Sequence, residues 1–234
     1  LPANGTPDSI FPNNWLSTHE EGRFVIYPMK AENRRRERRN DIISQLHNNY
    51  PDLVDLSDYE NQGKFLEGTG SMVIDRNNEI VYACLSQRTH IDVLSEWTRI
   101  FNYKAVTFAA FCQKGNAIYH TNVMMALGSK FAVVCLEAIR DKYERQTLLR
   151  SLNDNGHEVV EISQEQVKSY CGNLLEVRNN KGETLLTMST QAYNGFTEKQ
   201  RHLLGRSARI IHSPVDTIEK FGGGSSRCML CELF

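Results

Sequence analysis

The sequence predicts an α/β fold in which one strand-strand-helix-strand unit repeats around a ring. Two observations carry this prediction. Five short segments resemble one another: Phe11-Pro12-Asn13-Asn14, Leu66-Glu67-Gly68-Thr69, Tyr119-His120-Thr121-Asn122, Tyr170-Cys171-Gly172-Asn173 and Ser226-Arg227-Cys228-Met229. Their spacing is regular: 53 residues from Asn14 to Glu67, 53 to His120, 53 to Asn173 and 55 to Cys228. Self-similarity at a fixed period marks a repeat architecture.

The internal order of each interval also repeats. A station is followed by an apolar, strand-like run and a hairpin signal, such as Asp75-Arg76-Asn77-Asn78-Glu79 or Asn179-Asn180-Lys181-Gly182. Helical stretches come next, at about 33–50, 90–102, 141–155 and 196–206, the first with Ile42, Ile43 and Leu46 on one face. A short strand such as Val106-Thr107-Phe108-Ala109 or Val159-Val160-Glu161-Ile162 then leads to the next station. Mixed units of this kind build a layered α/β arrangement. An open array would spread the stations, whereas a ring brings them to its axis. Their Asn, Glu, His, Asn and Cys complement one another chemically, which favours the ring. Five stations need five intervals, yet 6 residues follow Cys228 and 13 precede Asn14, where the other intervals use about 53. The expectation is one catalytic domain over residues 1–234, with about 34 residues of one unit missing ahead of Leu1.

Composition excludes several classes. A net charge of −1 gives no long-range field for nucleic acid or an acidic membrane. No apolar run reaches the 18 or so residues of a membrane span. Cys84, Cys112, Cys135, Cys171, Cys228 and Cys231 mostly lie in apolar runs without a disulfide-framework spacing, which points to a reducing, cytoplasmic setting. His19, His47, His157, His202 and His212 have no metal-ligand spacing, and no phosphate-loop, dinucleotide or zinc motif is present, so neither a metal nor a cofactor is expected. The expected partner is a small molecule, and a homo-oligomer is compatible with the sequence.

The most specific local signal is Phe221-Gly222-Gly223-Gly224-Ser225-Ser226-Arg227-Cys228. Three glycines permit close approach and an anion-binding nest, and a thiol beside Arg227 has the setting of a thiolate nucleophile. A tight turn before a buried last strand, Cys228 to Cys231, explains the same residues; a redox Cys-x-x-Cys fits less well, because positions three apart on a strand face opposite ways. His120 lies in an apolar, strand-like run at an equivalent station, and Asn122 would share its face. Glu67 is a carboxylate in apolar, glycine-rich surroundings and needs a partner. The run Arg34-Arg35-Arg36-Glu37-Arg38-Arg39 is interleaved with Glu32, Glu37 and Asp41, as in a solvated, ion-paired helix face.

Together these residues resemble the pentein superfamily of guanidino-group-modifying enzymes, from about residue 10 to 234. The ordered set is Phe11-Pro12-Asn13-Asn14, Glu67-Gly68, Gln87-Arg88-Thr89, His120-x-Asn122 and the glycine run before Cys228. Phe11-Pro12-Asn13-Asn14-Trp15, the Asn33 to Arg39 run and Gly222 to Leu230 are similar to the citrulline utilisation hydrolase branch. The resemblance implies a five-bladed α/β propeller, Cys228 as nucleophile, His120 as proton carrier, Glu67 as site carboxylate and Arg88 toward a substrate α-carboxylate. Arginine deiminases carry aspartates where this chain has Asn14 and Asn122, and another shortly after Glu-Gly where it has Gly70. A carboxylate suits a cation, whereas an amide suits a neutral group with donors and acceptors. The resemblance therefore implies a ureido substrate, citrulline, cleaved to ornithine, ammonia and carbon dioxide. Alternatives are a guanidine deiminase, dihydrolase or amidinotransferase acting on an arginine derivative, and a non-catalytic binding ring.

Overall fold

The computed structural model describes residues 5–234 and is α/β, with four three-stranded sheets. They are β1 (Leu16–His19), β2 (Arg23–Ile26) and β3 (Asp52–Asp55); β4 (Met72–Asp75), β5 (Ile80–Cys84) and β6 (Lys104–Phe108); β7 (Met125–Leu127), β8 (Phe131–Val134) and β9 (Glu158–Glu161); and β10 (Leu175–Arg178), β11 (Thr184–Ser189) and β12 (Arg209–Ser213). In each sheet the first two strands pair antiparallel and the third pairs parallel to the second. The parallel step needs a crossover, which a helical connection supplies: Asn40–His47, Ile91–Phe101, Lys142–Asp154 and Glu198–Gly205. The expected strand-strand-helix-strand unit is therefore present four times.

The middle strands of the second and third units are covered on both faces, which suits their apolar sequences. β5 and β8 are buried along their whole length. The crossover Ile91–Phe101 buries Val93, Leu94 and Trp97, a helical stripe, and Trp97 donates its Nε1–H to Tyr27 Oη at 3.0 Å. Asn102 closes that helix at φ 58°, a left-handed cap that asparagine tolerates.

Of the five units expected, one of them incomplete, four have a sheet among the described residues; the fifth station, Ser226–Met229, is a 3-10 turn with no sheet of its own. Three local expectations are corrected. Cys228 and Cys231 thus do not lie on a strand, and all six cysteines are free. Asn122 sits in a 3-10 turn, Thr121–Val123, and His120 just ahead of it as its cap, neither on a strand. Apolar neighbours mark a buried segment whether it is extended or turned, so the hydropathy pattern could not separate the two. The first helix is also broken, into Glu32–Arg35 and Asn40–His47, where Arg34 turns inward.

Each strand set is entered through a station. Pro12–Asn14 leads into β1, Gly68–Ser71 into β4, Thr121–Val123 into β7 and Asn173 into β10. The stations pack on one another, with Gly68–Ser71 against both Pro12–Asn14 and Thr121–Val123, and Pro12–Asn14 against Ser226–Met229. That convergence assembles the site.

Candidate active site

Cys228 is 8% exposed and lies where the glycine run meets the first station. A Cβ on Gly224 would come within 2.8 Å of the Phe11 ring, so glycine permits the close approach of the run to the first station, and Cys228, Asn14 and His120 line one compartment. The turn is held by the Cys228 amide donating to Ser225 O at 3.0 Å and by Ser225 Oγ donating to the buried Glu219 at 2.6 Å. Two side-chain amides reach the sulfur: Asn173 Nδ2 at 3.2 Å and Asn122 Nδ2 at 3.4 Å. Such donors bind a thiolate better than a thiol. Arg227 does not face the sulfur; its guanidinium is engaged by Leu230 O and Glu232.

His120 and Glu67 form a buried pair, Nε2 to Oε2 at 2.8 Å, with exposures of 4% and 0%. Glu67 also accepts from the Lys30 amide at 3.0 Å and from Arg88 at 3.1 Å. Burial alone would raise its carboxyl, but the His120 hydrogen bond and charge, Arg88 and the Lys30 amide outweigh it and bring the pKa to about 2. For His120, burial dominates and pulls the imidazole below its ordinary value; the bond to Glu67 opposes this, and Arg88 and Arg34 reinforce it. The charge help that Glu67 draws from an imidazolium exists only while His120 is protonated. With His120 neutral, its Nε2–H, Arg88 and the Lys30 amide still keep Glu67 ionised. The resting pair is thus a carboxylate and a neutral imidazole whose Nδ1 is free to act as a base.

Asn14 is 3% exposed, and its Oδ1 accepts from Arg34 at 2.6 Å. Its Nδ2 has no protein partner. That amide and the His120 ring lie directly over Gly70: a Cβ there would stand 2.4 Å from Asn14 Nδ2 and 2.9 Å from His120 Nδ1. No side chain fits at position 70, so the site has no second carboxylate there. Asn122 complements Asn14, since its Oδ1 is buried without a partner.

The cleft has two compartments, both lined by Tyr119, His120, Gly223, Gly224 and Cys228. One, about 150 Å³, adds Asn14, Arg34 and Arg88; the other, about 240 Å³, adds Asn122, Tyr170 and Asn173. Between them Tyr119 Oη donates to Gly223 O at 3.4 Å. A further cavity of about 240 Å³ opens among the hairpin ends, lined by Asp75, Arg76, Gly128 and Arg178; it shares Asn122 with the cleft and has no cysteine in its wall.

The structure thus brings together all six residues picked from the sequence: Cys228, His120, Glu67, Asn14, Asn122 and Arg88. Two others belong with them. Asn173 occupies the fourth station, which was its signal. Arg34, expected on a solvated face, is 4% exposed and paired with the equally buried Glu37 at 2.9 Å. Arg35 and Arg38 likewise reach Glu60. Among the described residues no cluster of His, Cys, Asp or Glu could hold a metal ion, and no helix is long and apolar enough to cross a membrane.

The fold is similar to that of ArgZ, an arginine dihydrolase from the ornithine-ammonia cycle in Cyanobacteria, in its apo form (TM-score 0.77, 16% identity, 98% of this chain and 34% of that one). It matches equally the N-terminal domain of ArgZ covalently bound to a reaction intermediate (TM-score 0.77, 16% identity, 98% of this chain, 77% of that one). A Cys-to-Ser mutant of DDAH from Pseudomonas aeruginosa, complexed with citrulline, is also similar (TM-score 0.66, 16% identity, 96% and 76%). The chain spans about a third of full-length ArgZ. No curated protein matches the sequence. The family model of eukaryotic N,N-dimethylarginine dimethylhydrolase, however, matches residues 2–234. With the stations, the cysteine and the histidine-carboxylate pair in place, the chain belongs to the N,N-dimethylarginine dimethylhydrolase family of the pentein superfamily.

Proposed function

We propose that the chain hydrolyses the ureido group of citrulline through a covalent intermediate on Cys228. The observation that carries this is two buried, unsatisfied amide atoms on residues that line the cleft, Asn14 in one compartment and Asn122 in the other. Asn14 offers an N–H donor and Asn122 offers a C=O acceptor. A ureido group has one oxygen to accept and N–H groups to donate, so it satisfies both. A guanidinium has only donors, and would leave the Asn14 N–H buried and unpaired at a cost of about 1–3 kcal/mol. It would also lie near the Arg34 cation, and both Glu67 oxygens are already engaged, which leaves Asp8, on the wall of the same compartment, as its carboxylate.

In this reading His120 Nδ1 takes the Cys228 thiol proton, and the thiolate forms a C–S bond to the ureido carbon. The bond to the ornithine δ-nitrogen breaks as His120 hands that proton to the nitrogen, leaving a carbamoyl-cysteine. His120 then takes a proton from water, which adds to the carbamoyl carbon and releases the thiolate. The carbamate product decomposes to ammonia and carbon dioxide. In the same reading Arg88, on the cleft wall, meets the α-carboxylate. The four sheets and the fifth station are taken as the pentein five-bladed propeller.

The family match favours a second reading, removal of dimethylamine from a dimethylated arginine. Ammonia and dimethylamine release from citrulline, arginine and dimethylarginine decides between them. Citrulline turnover lost by at least about 10⁴-fold in Cys228→Ala supports the ureido hydrolase. Turnover of dimethylarginine with citrulline untouched overturns it and keeps the nucleophile.

A further inference from the structure

The chain has a buried arginine that touches neither the nucleophile nor the histidine. Arg34 is held on all sides: Nε and Nη2 donate to the two Glu37 oxygens at 2.9 Å each, Nη2 also reaches Phe11 O at 2.9 Å, and Nη1 donates to Asn14 Oδ1 at 2.6 Å. Glu37 is 2% exposed, so the charges neutralise each other out of solvent. Burying such a pair confers little net stability over apolar residues of the same size, so stability alone does not account for it.

An asparagine amide has two near-isosteric orientations that exchange a donor for an acceptor. An arginine has only N–H donors. With Arg34 against one end of the Asn14 amide, the oxygen must face Arg34 and the NH₂ must face the cleft. The opposite orientation would set N–H against N–H and turn an acceptor toward the substrate. We propose that Arg34, clamped by Glu37, is a specificity-determining positioning residue: it fixes Asn14 as a hydrogen-bond donor and so selects a carbonyl-bearing ureido group over a guanidinium. The inference rests on the ureido reading but is tested separately from it.

Arg34→Met alone strands the Glu37 charge and endangers folding, so the informative variant is Arg34→Met with Glu37→Met, beside Arg34→Lys, which retains a donor. The first readout is the ratio of kcat/KM for citrulline to that for arginine. It should fall at least about tenfold in the double variant, one decade being the scale of a single hydrogen bond, and recover toward wild type in Arg34→Lys. The second readout is independent of turnover: the rate of Cys228 alkylation, by mass spectrometry, with chloroacetamide and with chloroacetamidine. These probes differ in a carbonyl oxygen against a cationic amidine NH₂. The amide-to-amidine rate ratio should fall in the double variant in the same way. A purely structural role would slow both probes and both substrates together; an unchanged alkylation ratio overturns the inference. If wild type leaves citrulline untouched while the ratio still shifts, the citrulline reading fails and the Arg34 assignment stands.

Discussion

Two buried histidine-carboxylate pairs occupy opposite ends of the same sheets, and only one sits beside a nucleophile. His120 meets Glu67 at 2.8 Å; His157 meets Asp75 at 2.7 Å. The histidines are 4% and 5% exposed. What differs is what surrounds them. Glu67 also takes the Lys30 amide and Arg88, and the far side of His120 faces Asn14 and the cleft that holds Cys228. Asp75 takes both N–H groups of Asn78, closing the β4–β5 hairpin, and the far nitrogen of His157 has no protein partner. A buried imidazole on a carboxylate is therefore not itself a catalytic unit. The reactive neighbour and the unpaired amides are what distinguish the site.

The comparison predicts opposite consequences for matched substitutions. Glu67→Gln keeps the shape but removes the charge that holds the His120 Nε2–H tautomer. Proton transfer by a positioned side chain is worth about 10²–10⁴-fold, so kcat should fall by about 10² or more. Asp75→Asn is the same change at the other pair and should leave kcat within about threefold. Steady-state ammonia release by the two variants measures this, and comparable losses would break the distinction.

Stability should respond the other way. His157→Ala leaves Asp75 buried with only Asn78 as a donor. Stranding a buried carboxylate costs about 3 kcal/mol, which in a chain of this size lowers Tm by on the order of 10 °C. Thermal unfolding followed by circular dichroism tests it, with activity below Tm expected to remain. A Tm within about 2 °C of wild type would show that the pair carries no structural load.

Much of this was legible in the sequence because the repeat supplies its own alignment. Equal spacing placed Glu67, His120 and Cys228 at equivalent stations, and four of the station-to-strand entries followed. The helices Ile91–Phe101 and Lys142–Asp154 fall inside the expected stretches because their apolar stripes are regular. Arg34 was not legible. The i,i+3 pattern of Arg34 and Glu37 reads the same whether it faces water or the interior, and only the break in the helix turns it inward. The turns carrying His120 and Cys228 read as strand because their neighbours are apolar either way. Asn173 was marked by spacing, but nothing local to Tyr170-Cys171-Gly172-Asn173 announces that its amide reaches a sulfur from 55 residues along the chain.

A third buried histidine sharpens the comparison by having a cation where the others have a carboxylate. Arg76 donates to His19 Nδ1 at 3.1 Å, so Nε2 carries the proton and donates to Ser17 at 2.8 Å. Ser17 in turn meets Tyr27 at 2.7 Å, and the His19 ring packs on Phe101 at 4.4 Å. Burial first, then Arg76 and Arg23, depress the His19 pKa from 6.5 to about 3. The folded form therefore binds its proton later than the unfolded chain does. The stabilisation is intact above pH 6.5 and is lost as pH falls from there toward 3. By pH 5 the loss is about 2 kcal/mol, at 1.36 kcal/mol per pH unit. His120, also depressed by burial, adds in the same direction, whereas Glu67 contributes only below the ordinary carboxylate range. His19→Asn keeps a polar side chain but cannot titrate, so its urea-unfolding free energy should fall less steeply than wild type between pH 6.5 and 5. Parallel curves for the two proteins would mean that the Arg76 contact does not hold His19 neutral in the fold.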